Sequence, residues 1–224
     1  MKIIGLIPAR GGSKGIPRKN LSPFLGTTLL GHKINQAQLS TCDEIWVSTE
    51  DQEIKAESLR YGAQVIDRPD ALSQDESSTD SMLLHAVEYL NCDLSDVVVL
   101  LQITSPLIKV ESMNLTIDKL ISNPDLNSVI TVRESHPFMW TTKDGKFWEP
   151  EGHSRDARPR RQDLLRSGWE TGGCYAIRVS AILDQKVRYP APTSCINVSH
   201  LEAMDIDTFE DLSVSRKVSG SIEG

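Results

Sequence analysis

The segment "DVVVLLQ", residues 96–102, gives the strongest strand signal in the 224-residue chain. Five consecutive apolar residues separate Asp96 from Gln102, so both faces of this segment are apolar when it is extended. Such strands are typical of the interior of a parallel sheet whose two faces are covered by helices. We therefore place residues 96–102 at the centre of a predicted sheet.

The sequence on both sides of this strand alternates between short apolar segments and segments with helical periodicity. The predicted strands are "KIIGLIP" (2–8), "EIWVST" (44–49), "AQVID" (63–67), "SVITVRE" (128–134) and "GGCYAIRV" (172–179). The predicted helices are residues 28–40, 51–62, 78–90, 110–122 and 207–218, with Ser78 or Thr79 and Thr208 as candidate N-caps. This alternation predicts an α/β sandwich with mostly parallel strands.

Residues 135–168 interrupt this alternation, because they are rich in proline, glycine, charge and aromatic residues and show no helical period. We interpret them as an inserted arm, since a long irregular segment in a compact domain usually has a function. Its aromatic residues suit a protein interface, and a plain surface excursion is the equally weighted alternative. We expect one domain over residues 1–218 and a flexible tail over residues 219–224.

Composition excludes several classes of protein. The net charge of −7 argues against nucleic-acid binding, which needs a basic surface. The four cysteines are far apart with no CxxC pair, so we expect free thiols in a reducing compartment rather than a disulfide framework or a zinc site. No apolar segment is long enough to span a bilayer and the N-terminus does not resemble a signal peptide, so we expect a cytoplasmic protein without a membrane partner.

The first predicted strand runs into a loop, residues 9–20, that concentrates positive charge in an acidic protein. Arg10, Lys14 and Lys19 can neutralise a triphosphate, and the hydroxyl of Ser13 adds a donor. Three glycines let backbone N–H groups approach a ligand closely: Gly11, Gly12 and Gly15. The spacing matches neither a Walker loop nor GxGxxG. We predict phosphate binding here, and a solvated basic turn is the alternative.

An ordered series of motifs resembles the CMP-sialic acid synthetases, the acylneuraminate cytidylyltransferases that activate nonulosonic acids. The motifs are "PARGGSKGIPRKN" (8–20), "VSTEDQEI" (47–54), "RPDALSQDESSTDSMLLHAVEYL" (68–90), "VVLLQITSPL" (98–107), "RRQDL" (160–164), "GGCYAI" (172–177) and "DIDTFEDL" (205–212). The resemblance implies a Rossmann-like three-layer sandwich with a mostly parallel sheet and an inserted dimerisation arm. It also implies a reaction of CTP with a nine-carbon 2-keto sugar acid, with Mg²⁺ as cofactor, in a homodimer.

The resemblance also implies the roles of individual residues. Those that would bind the nucleotide are Ala9, Arg10, Gly11, Gly12, Ser13, Lys14, Lys19, Asn20, Arg68, Ser78 and Thr79. Those that would contact the sugar are Gln102, Thr104, Ser105, Arg161, Gln162 and Tyr175. The groups that would act in catalysis are Arg10, Lys19 and Asp207. The two fixed cations would stabilise the charge that moves onto the leaving pyrophosphate, and Asp207 would act through the metal ion.

The acidic pair Asp205 and Asp207 is the predicted metal site. Carboxylates two residues apart on an extended chain point the same way, so they can share one Mg²⁺, which prefers oxygen ligands and keeps several waters. A turn or a helix cap is the alternative for this motif taken alone. The resemblance favours the metal site over this alternative.

Departures from the family pattern concern the predicted sugar pocket. Isoleucine stands at 103 and 108, where the family often has proline and arginine, and Trp169 and Thr171 replace a usual arginine and asparagine. Met139 and Trp140 stand near a position where a lysine is expected. Gly15 disfavours pseudaminate, whose enzymes often have arginine there. The departures favour an acceptor other than N-acetylneuraminate, such as legionaminate. A nucleotidyltransferase for a different sugar and a catalytically silent nucleotide-binding module are the further alternatives, and the intact Asp205 and Asp207 argue against the silent module.

Overall fold

The structure is a computed structural model that describes residues 1–135, 138–157, 159–163 and 167–222. Only the backbone is described for Arg161 and for residues 220–222. The strands are β1 Ile3–Pro8, β2 Pro23–Phe24, β3 Thr27–Thr28, β4 Glu44–Thr49, β5 Gln64–Asp67, β6 Val97–Leu100, β7 Ser128–Ser135, β8 Met139–Thr141, β9 Glu149–Glu151, β10 Ser167–Arg178 and β11 Thr193–Asn197. The helices are α1 Leu29–Gln38, α2 Gln52–Arg60, α3 Thr79–Tyr89, α4 Val110–Ile121, α5 Val179–Gln185 and α6 Phe209–Ile222.

The main sheet has seven strands in the order β11-β7-β10-β6-β1-β4-β5. Strand β10 is antiparallel to both of its neighbours, and the other four pairings are parallel. Strand β6 is the fourth of the seven, and all four of its residues are buried. The prediction that residues 96–102 form the centre of a mostly parallel sheet is therefore confirmed.

Helices cover both faces of the sheet, which gives three layers. Val97 and Val99 of β6 pack with residues of α1, α4 and α6 on one face. Val98 and Leu100 pack with residues of α3 and α5 on the other face. Since side chains of a strand alternate between faces, this one apolar strand supplies both cores, and each such buried side chain contributes about 1.5–3 kcal/mol.

The predicted N-caps are in place. The Ser78 hydroxyl accepts a hydrogen bond from the Ser81 N–H at 3.1 Å, at the start of α3. The Thr208 hydroxyl accepts from the Asp211 N–H at 3.2 Å, and the Asp211 carboxylate accepts from the Thr208 N–H at 2.8 Å. These bonds satisfy orphan donors at the first turns of α3 and α6 and thereby fix where each helix begins.

The inserted segment between β7 and β10 contains a short antiparallel hairpin, formed by β8 and β9. Residues 167–168, which we predicted as arm, belong to β10 and pair with the end of β7. The side chains of Trp140, Phe147 and Trp148 are exposed on the arm.

The C-terminal helix is longer than the sequence pattern indicated. We placed the end of the domain at residue 218 and a flexible tail after it, whereas α6 continues to Ile222. Ser219 is buried, and its hydroxyl donates to the Ser215 carbonyl at 2.8 Å, which ties this turn to the rest of the helix. No helix in the described residues is long and apolar enough to cross a membrane.

Candidate active site

A cavity of about 520 Å³ opens at the carboxyl ends of the central strands. Pro8 at the end of β1, Arg68 just after β5 and Gln102 just after β6 all line it. Ligands of open α/β sheets bind at this edge, because the loops that follow parallel strands converge there. The cavity is therefore the candidate active site.

The cationic loop, residues 9–20, forms one wall of the cavity. Five of its predicted nucleotide-binding residues line the cavity, namely Arg10, Ser13, Lys14, Lys19 and Asn20. The Asn20 side-chain amide donates to the Arg10 carbonyl at 2.9 Å, so this buried residue joins the two ends of the loop. Asn20 thus shapes the loop as well as facing the cavity.

Three other predicted loop residues support the wall rather than line it: Ala9, Gly11 and Gly12. The buried Ala9 donates its N–H to the Ser48 carbonyl at 3.0 Å. The Gly11 N–H donates to the Glu50 carboxylate at 2.7 Å, and a Cβ on Gly11 would lie 2.5 Å from the Asp51 side chain. This close contact explains the glycine, since the loop packs directly on the residues that precede α2.

Arg18 also fixes this loop, a role that the sequence did not indicate. Its backbone is left-handed, with φ of 54°, and its guanidinium donates to the carboxylates of Asp51 and Glu53. The hydrogen bond from Arg18 holds the pKa of Asp51 below its ordinary value. Because Asp51 also caps α2, the loop is tied to the start of that helix.

Lys19 of the cationic loop contacts the acidic segment at the cavity. The Lys19 ammonium donates to the Ile206 carbonyl at 2.7 Å and lies 3.3 Å from the Asp207 carboxylate. The Ile206 N–H donates to the Thr104 carbonyl at 2.8 Å, which fixes the acidic segment beside the loop that follows β6. Two predicted site segments separated by nearly the whole chain are thus in contact.

The acidic pair has the donor chemistry of a divalent-cation site. Asp207 lines the cavity with its side chain 77% exposed, whereas Asp205 does not belong to the lining. Loss of hydration around its carboxyl raises the pKa of Asp205, and the negative charge of Asp207 acts in the same direction, although the residue as a whole is exposed. A cation would relieve this repulsion. No group of three metal-ligating side chains occurs in the described part of the chain, so phosphate oxygens and waters would complete the shell.

The residues expected to bind the base, Arg68, Ser78 and Thr79, also line the cavity. Arg68 is buried, and its guanidinium donates to the Ser48 hydroxyl at 3.1 Å. Burial lowers the pKa of Arg68 from its ordinary value. Ser78 and Thr79 line the cavity at the start of α3, so Ser78 faces the site while it caps the helix.

The predicted sugar contacts divide into two groups. Gln102 and Thr104 line the cavity. Ser105 and Tyr175 are buried and do not line it: the Ser105 hydroxyl donates to the Thr171 carbonyl at 2.9 Å, and the Tyr175 hydroxyl donates to Glu170. Burial raises the pKa of Tyr175. In this structure the Ser105 hydroxyl therefore joins the loop after β6 to β10, and the Tyr175 hydroxyl is used within β10.

The two arm residues predicted to bind the sugar lie in a short 3-10 turn, Arg161–Asp163. Gln162 is exposed and does not line the cavity. The side chain of Arg161 lies outside the described residues.

A buried lysine beside the loop that follows β6 was not indicated by the sequence. Lys33 of α1 is fully buried, and its ammonium donates to the Ser105 carbonyl at 2.8 Å. Burial lowers the pKa of Lys33 from 10.5 to about 7. The side chain thereby supports the loop that carries Gln102 and Thr104, at a cost in stability whenever it is charged.

We expect Lys33→Met to raise the melting temperature at about pH 7 by roughly 5 °C or more. Between about pH 7 and 10.5 the unfolded chain holds the lysine proton that the folded protein has released, so wild-type stability increases with pH across this window. The advantage of the variant should therefore shrink toward pH 10, where the lost bond to Ser105 remains a cost. Thermal unfolding of both proteins, with the exposed Lys143→Met as control, measures this. A variant less stable than wild type at pH 7 would contradict it.

A cationic loop that contacts an acidic segment at a cavity on the carboxyl edge of a mostly parallel sheet is typical of a nucleotidyltransferase. A family model described as "Cytidylyltransferase" matches residues 4–144. The chain belongs to this cytidylyltransferase family.

Relatives of known name match nearly the whole chain. Pseudaminic acid cytidylyltransferase of Campylobacter jejuni is 30% identical over 224 aligned residues, which cover 96% of this chain and 95% of the relative. N-acylneuraminate cytidylyltransferase A of Danio rerio is 32% identical over 220 residues, which cover 96% of this chain and 50% of the relative. The chain thus spans about half the length of that relative. These matches confirm the resemblance drawn from the motifs.

Solved structures share the fold. The CTP complex of CMP:2-keto-3-deoxy-manno-octonic acid synthetase superposes with a TM-score of 0.72 at 18% identity, covering 99% of this chain and 100% of the other. 4-Diphosphocytidyl-2C-methyl-D-erythritol synthase gives a TM-score of 0.70 at 11% identity, covering 97% and 99%. At these identities the likeness concerns the fold alone.

Proposed function

We propose that this enzyme couples CTP to a nonulosonic acid and releases pyrophosphate, giving the CMP-sugar. The observation that supports the proposal is the contact of Lys19 with Ile206 and Asp207, because it brings the cationic loop beside the acidic segment at one cavity. The names of the relatives supply the substrate class, since they act on pseudaminic acid and on N-acylneuraminate.

In the proposed reaction the 2-hydroxyl oxygen of the sugar bonds to the α-phosphorus of CTP, the bond from that phosphorus to the pyrophosphate oxygen breaks, and the hydroxyl proton is released to water. Arg10, Lys14 and Lys19 hold the triphosphate and face the negative charge that grows on the leaving pyrophosphate. Cations fixed at that position lower the barrier more than they aid ground-state binding. The hydrogen bond from Lys19 to the Ile206 carbonyl fixes one of these cations before substrate arrives.

We assign Mg²⁺ to Asp205 and Asp207, because carboxylate oxygens suit a hard divalent ion and Asp207 is open to the cavity in which the phosphates would lie. When bound, the ion would supply charge neutralisation to phosphate oxygens. Asp211 supports this assignment, because its carboxylate accepts the N–H of Asp207 at 3.1 Å and that of Thr208 at 2.8 Å and so fixes the acidic segment at the start of α6.

Arg68, Ser78 and Thr79 are assigned to the nucleotide base, and Gln102 and Thr104 to the sugar, because the family resemblance implies these roles and all five residues line the cavity. The relatives acting on pseudaminic acid and on N-acylneuraminate are 30% and 32% identical to this chain, so identity does not separate these acceptors. The objection to pseudaminate that rested on Gly15 is correspondingly weak.

The four cysteines are free, which supports the expectation of a reducing compartment such as the cytoplasm.

Pyrophosphate release is the test of this function. The purified protein would be incubated with CTP, Mg²⁺ and, in turn, N-acetylneuraminate, legionaminate, pseudaminate and an eight-carbon 2-keto acid, with UTP, ATP and GTP as nucleotide controls. We expect release only with CTP and a nine-carbon acid. Release with a different sugar would establish the alternative acceptor. CTP binding without release for any acceptor would establish a nucleotide-binding module instead.

We further propose that the arm forms a homodimer through its exposed aromatic side chains. Phe147 is 74% exposed at the end of the arm, and a free aromatic surface of this kind favours association. Sedimentation should give a dimer at micromolar concentration, and Phe147→Glu should weaken it by about tenfold or more. Leu39→Glu, at an equally exposed position outside the arm, is the control and should leave the dimer unchanged. A wild-type monomer would exclude the arm as a dimer interface.

A further inference from the structure

The carboxylate of Asp75 is paired with Arg10 and Lys14, two of the cations that would bind phosphate in the proposed function. One Asp75 oxygen accepts from the Arg10 guanidinium at 2.9 Å, and the other lies 3.1 Å from the Lys14 ammonium. All three residues line the active-site cavity. Two oxygens on one centre, each facing one cation, are the arrangement that two phosphate oxygens would adopt.

These ion pairs are suited to exchange with a ligand. The side chains of Asp75 and Lys14 are 48% and 74% exposed, so water screens the attraction between them. Exposed pairs of this kind contribute little to stability. The hydrogen bond from Lys14, together with the charge of Arg10, holds the pKa of Asp75 below its ordinary value, so the carboxylate is charged at neutral pH. A ligand with more charge and more oxygens can therefore displace it.

The segment that carries Asp75 joins Arg68 to Ser78, two of the three residues assigned to the base. It begins at Arg68, ends at Ser78, and is held by short internal bonds, such as that from the Gln74 amide to the Asp70 carbonyl at 2.8 Å. Arg10 also contacts this segment through the Gln74 carbonyl at 3.4 Å. In this structure the cationic loop and the base-side segment are thus joined across the cavity by Asp75 and its neighbour.

We propose that Asp75 is a specificity-determining residue, an internal competitor for Arg10 and Lys14 that a nucleoside triphosphate displaces and a nucleoside monophosphate does not. The inference rests on the proposed function, because it takes these cations as the polyphosphate site. Pyrophosphate and CTP carry the charge to replace the carboxylate on both cations. CMP carries a single phosphate, so it binds these two cations less strongly. Asp75 therefore increases the difference in affinity between CTP and CMP.

Calorimetric binding of CTP, pyrophosphate and CMP to three proteins tests the inference. The proteins are wild type, Asp75→Asn and Glu76→Gln, the last removing one negative charge from the neighbouring exposed residue, which does not line the cavity. We expect Asp75→Asn to bind CTP and pyrophosphate about tenfold more tightly at low salt and CMP less than threefold more tightly. The gain should fall at high salt, because screening already weakens the competitor. Glu76→Gln should match wild type.

Each outcome separates this inference from the function on which it rests. CTP affinity that is equal or weaker in Asp75→Asn, or a gain for CMP as large as that for CTP, would overturn the role of Asp75 alone. Wild-type protein that binds no CTP would overturn the proposed function, and tighter pyrophosphate binding in the variant would then still support competition at the cation pair. Asp75→Ser, with unchanged melting behaviour, should reproduce the result and exclude an effect particular to asparagine.

Discussion

Asp207→Asn is expected to lower turnover by about a hundredfold or more while changing CTP affinity much less. The substitution keeps the size of the side chain but removes one of the two negative charges assigned to Mg²⁺. It also removes the carboxylate that lies 3.3 Å from the Lys19 ammonium. Ground-state binding of the triphosphate should be kept, because Arg10 and Lys14 pair with Asp75 and not with this carboxylate. The hydrogen bond from Lys19 to the Ile206 carbonyl does not involve it either.

The matched control for this substitution is Glu210→Gln, three residues further along the chain. Glu210 is exposed, so the variant loses the same charge in the first turn of α6 without altering the cavity. Turnover at saturating CTP and acceptor, CTP affinity by calorimetry and the Mg²⁺ concentration for half-maximal rate would be compared. Asp207→Asn should need more Mg²⁺, and Glu210→Gln should behave as wild type. Unchanged turnover in Asp207→Asn would remove Asp207 from the metal site.

Local sequence signals were sufficient where one segment decides its own structure. The uniformly apolar residues 97–101 indicated a strand covered on both faces, and it is the central strand. Ser78 and Thr208 indicated helix starts, because their hydroxyls can satisfy N–H groups within the same turn. These features need no information from distant parts of the chain.

Elements that depend on distant partners were not predictable in the same way. Nothing in residues 172–178 indicates direction, so the antiparallel placement of β10 between β6 and β7 follows only from the fold. Strand β11 reads "TSCIN" and alternates between exposed and half-buried positions, which gives a weak pattern, and α5 has only seven residues. The hairpin of β2 and β3 is two residues long on each side.

The site residues likewise divide into those that the sequence indicated and those that depend on distant partners. The motif positions in the cationic loop and the acidic pair could be named from the sequence, and the resemblance supplied the expectation that they act together. Asp75 and Lys33 could not be named, because their roles come from contacts with residues 65 and 72 positions away. Neither residue stands in a pattern that indicates a partner. The family resemblance predicted that Ser105 contacts the sugar. In the structure its hydroxyl instead donates a hydrogen bond to the Thr171 carbonyl.

Gly15→Ala is expected to lower turnover by about a hundredfold, since a displacement of reacting groups by ~1 Å has an effect of this size. A Cβ added at Gly15 would lie 2.2 Å from the Asp207 carbonyl oxygen. That oxygen belongs to the backbone and cannot rotate away, so the cationic loop and the acidic segment must separate. The separation would lengthen the bond from Lys19 to the Ile206 carbonyl and move Asp207 away from the triphosphate.

Gly12→Ala provides the comparison for this variant, because it adds the same methyl group to the same loop at a position where no other atom lies within 4 Å. Both substitutions reduce the flexibility of the loop, and only Gly15→Ala forces it away from Asp207. Gly12→Ala should therefore lose much less turnover, and thermal unfolding should show a cost of about 1–3 kcal/mol for Gly15→Ala alone. Equal turnover in the two variants would mean that the close approach of residue 15 to Asp207 is not required for the reaction, and the joint action of the two segments would lose its main structural support.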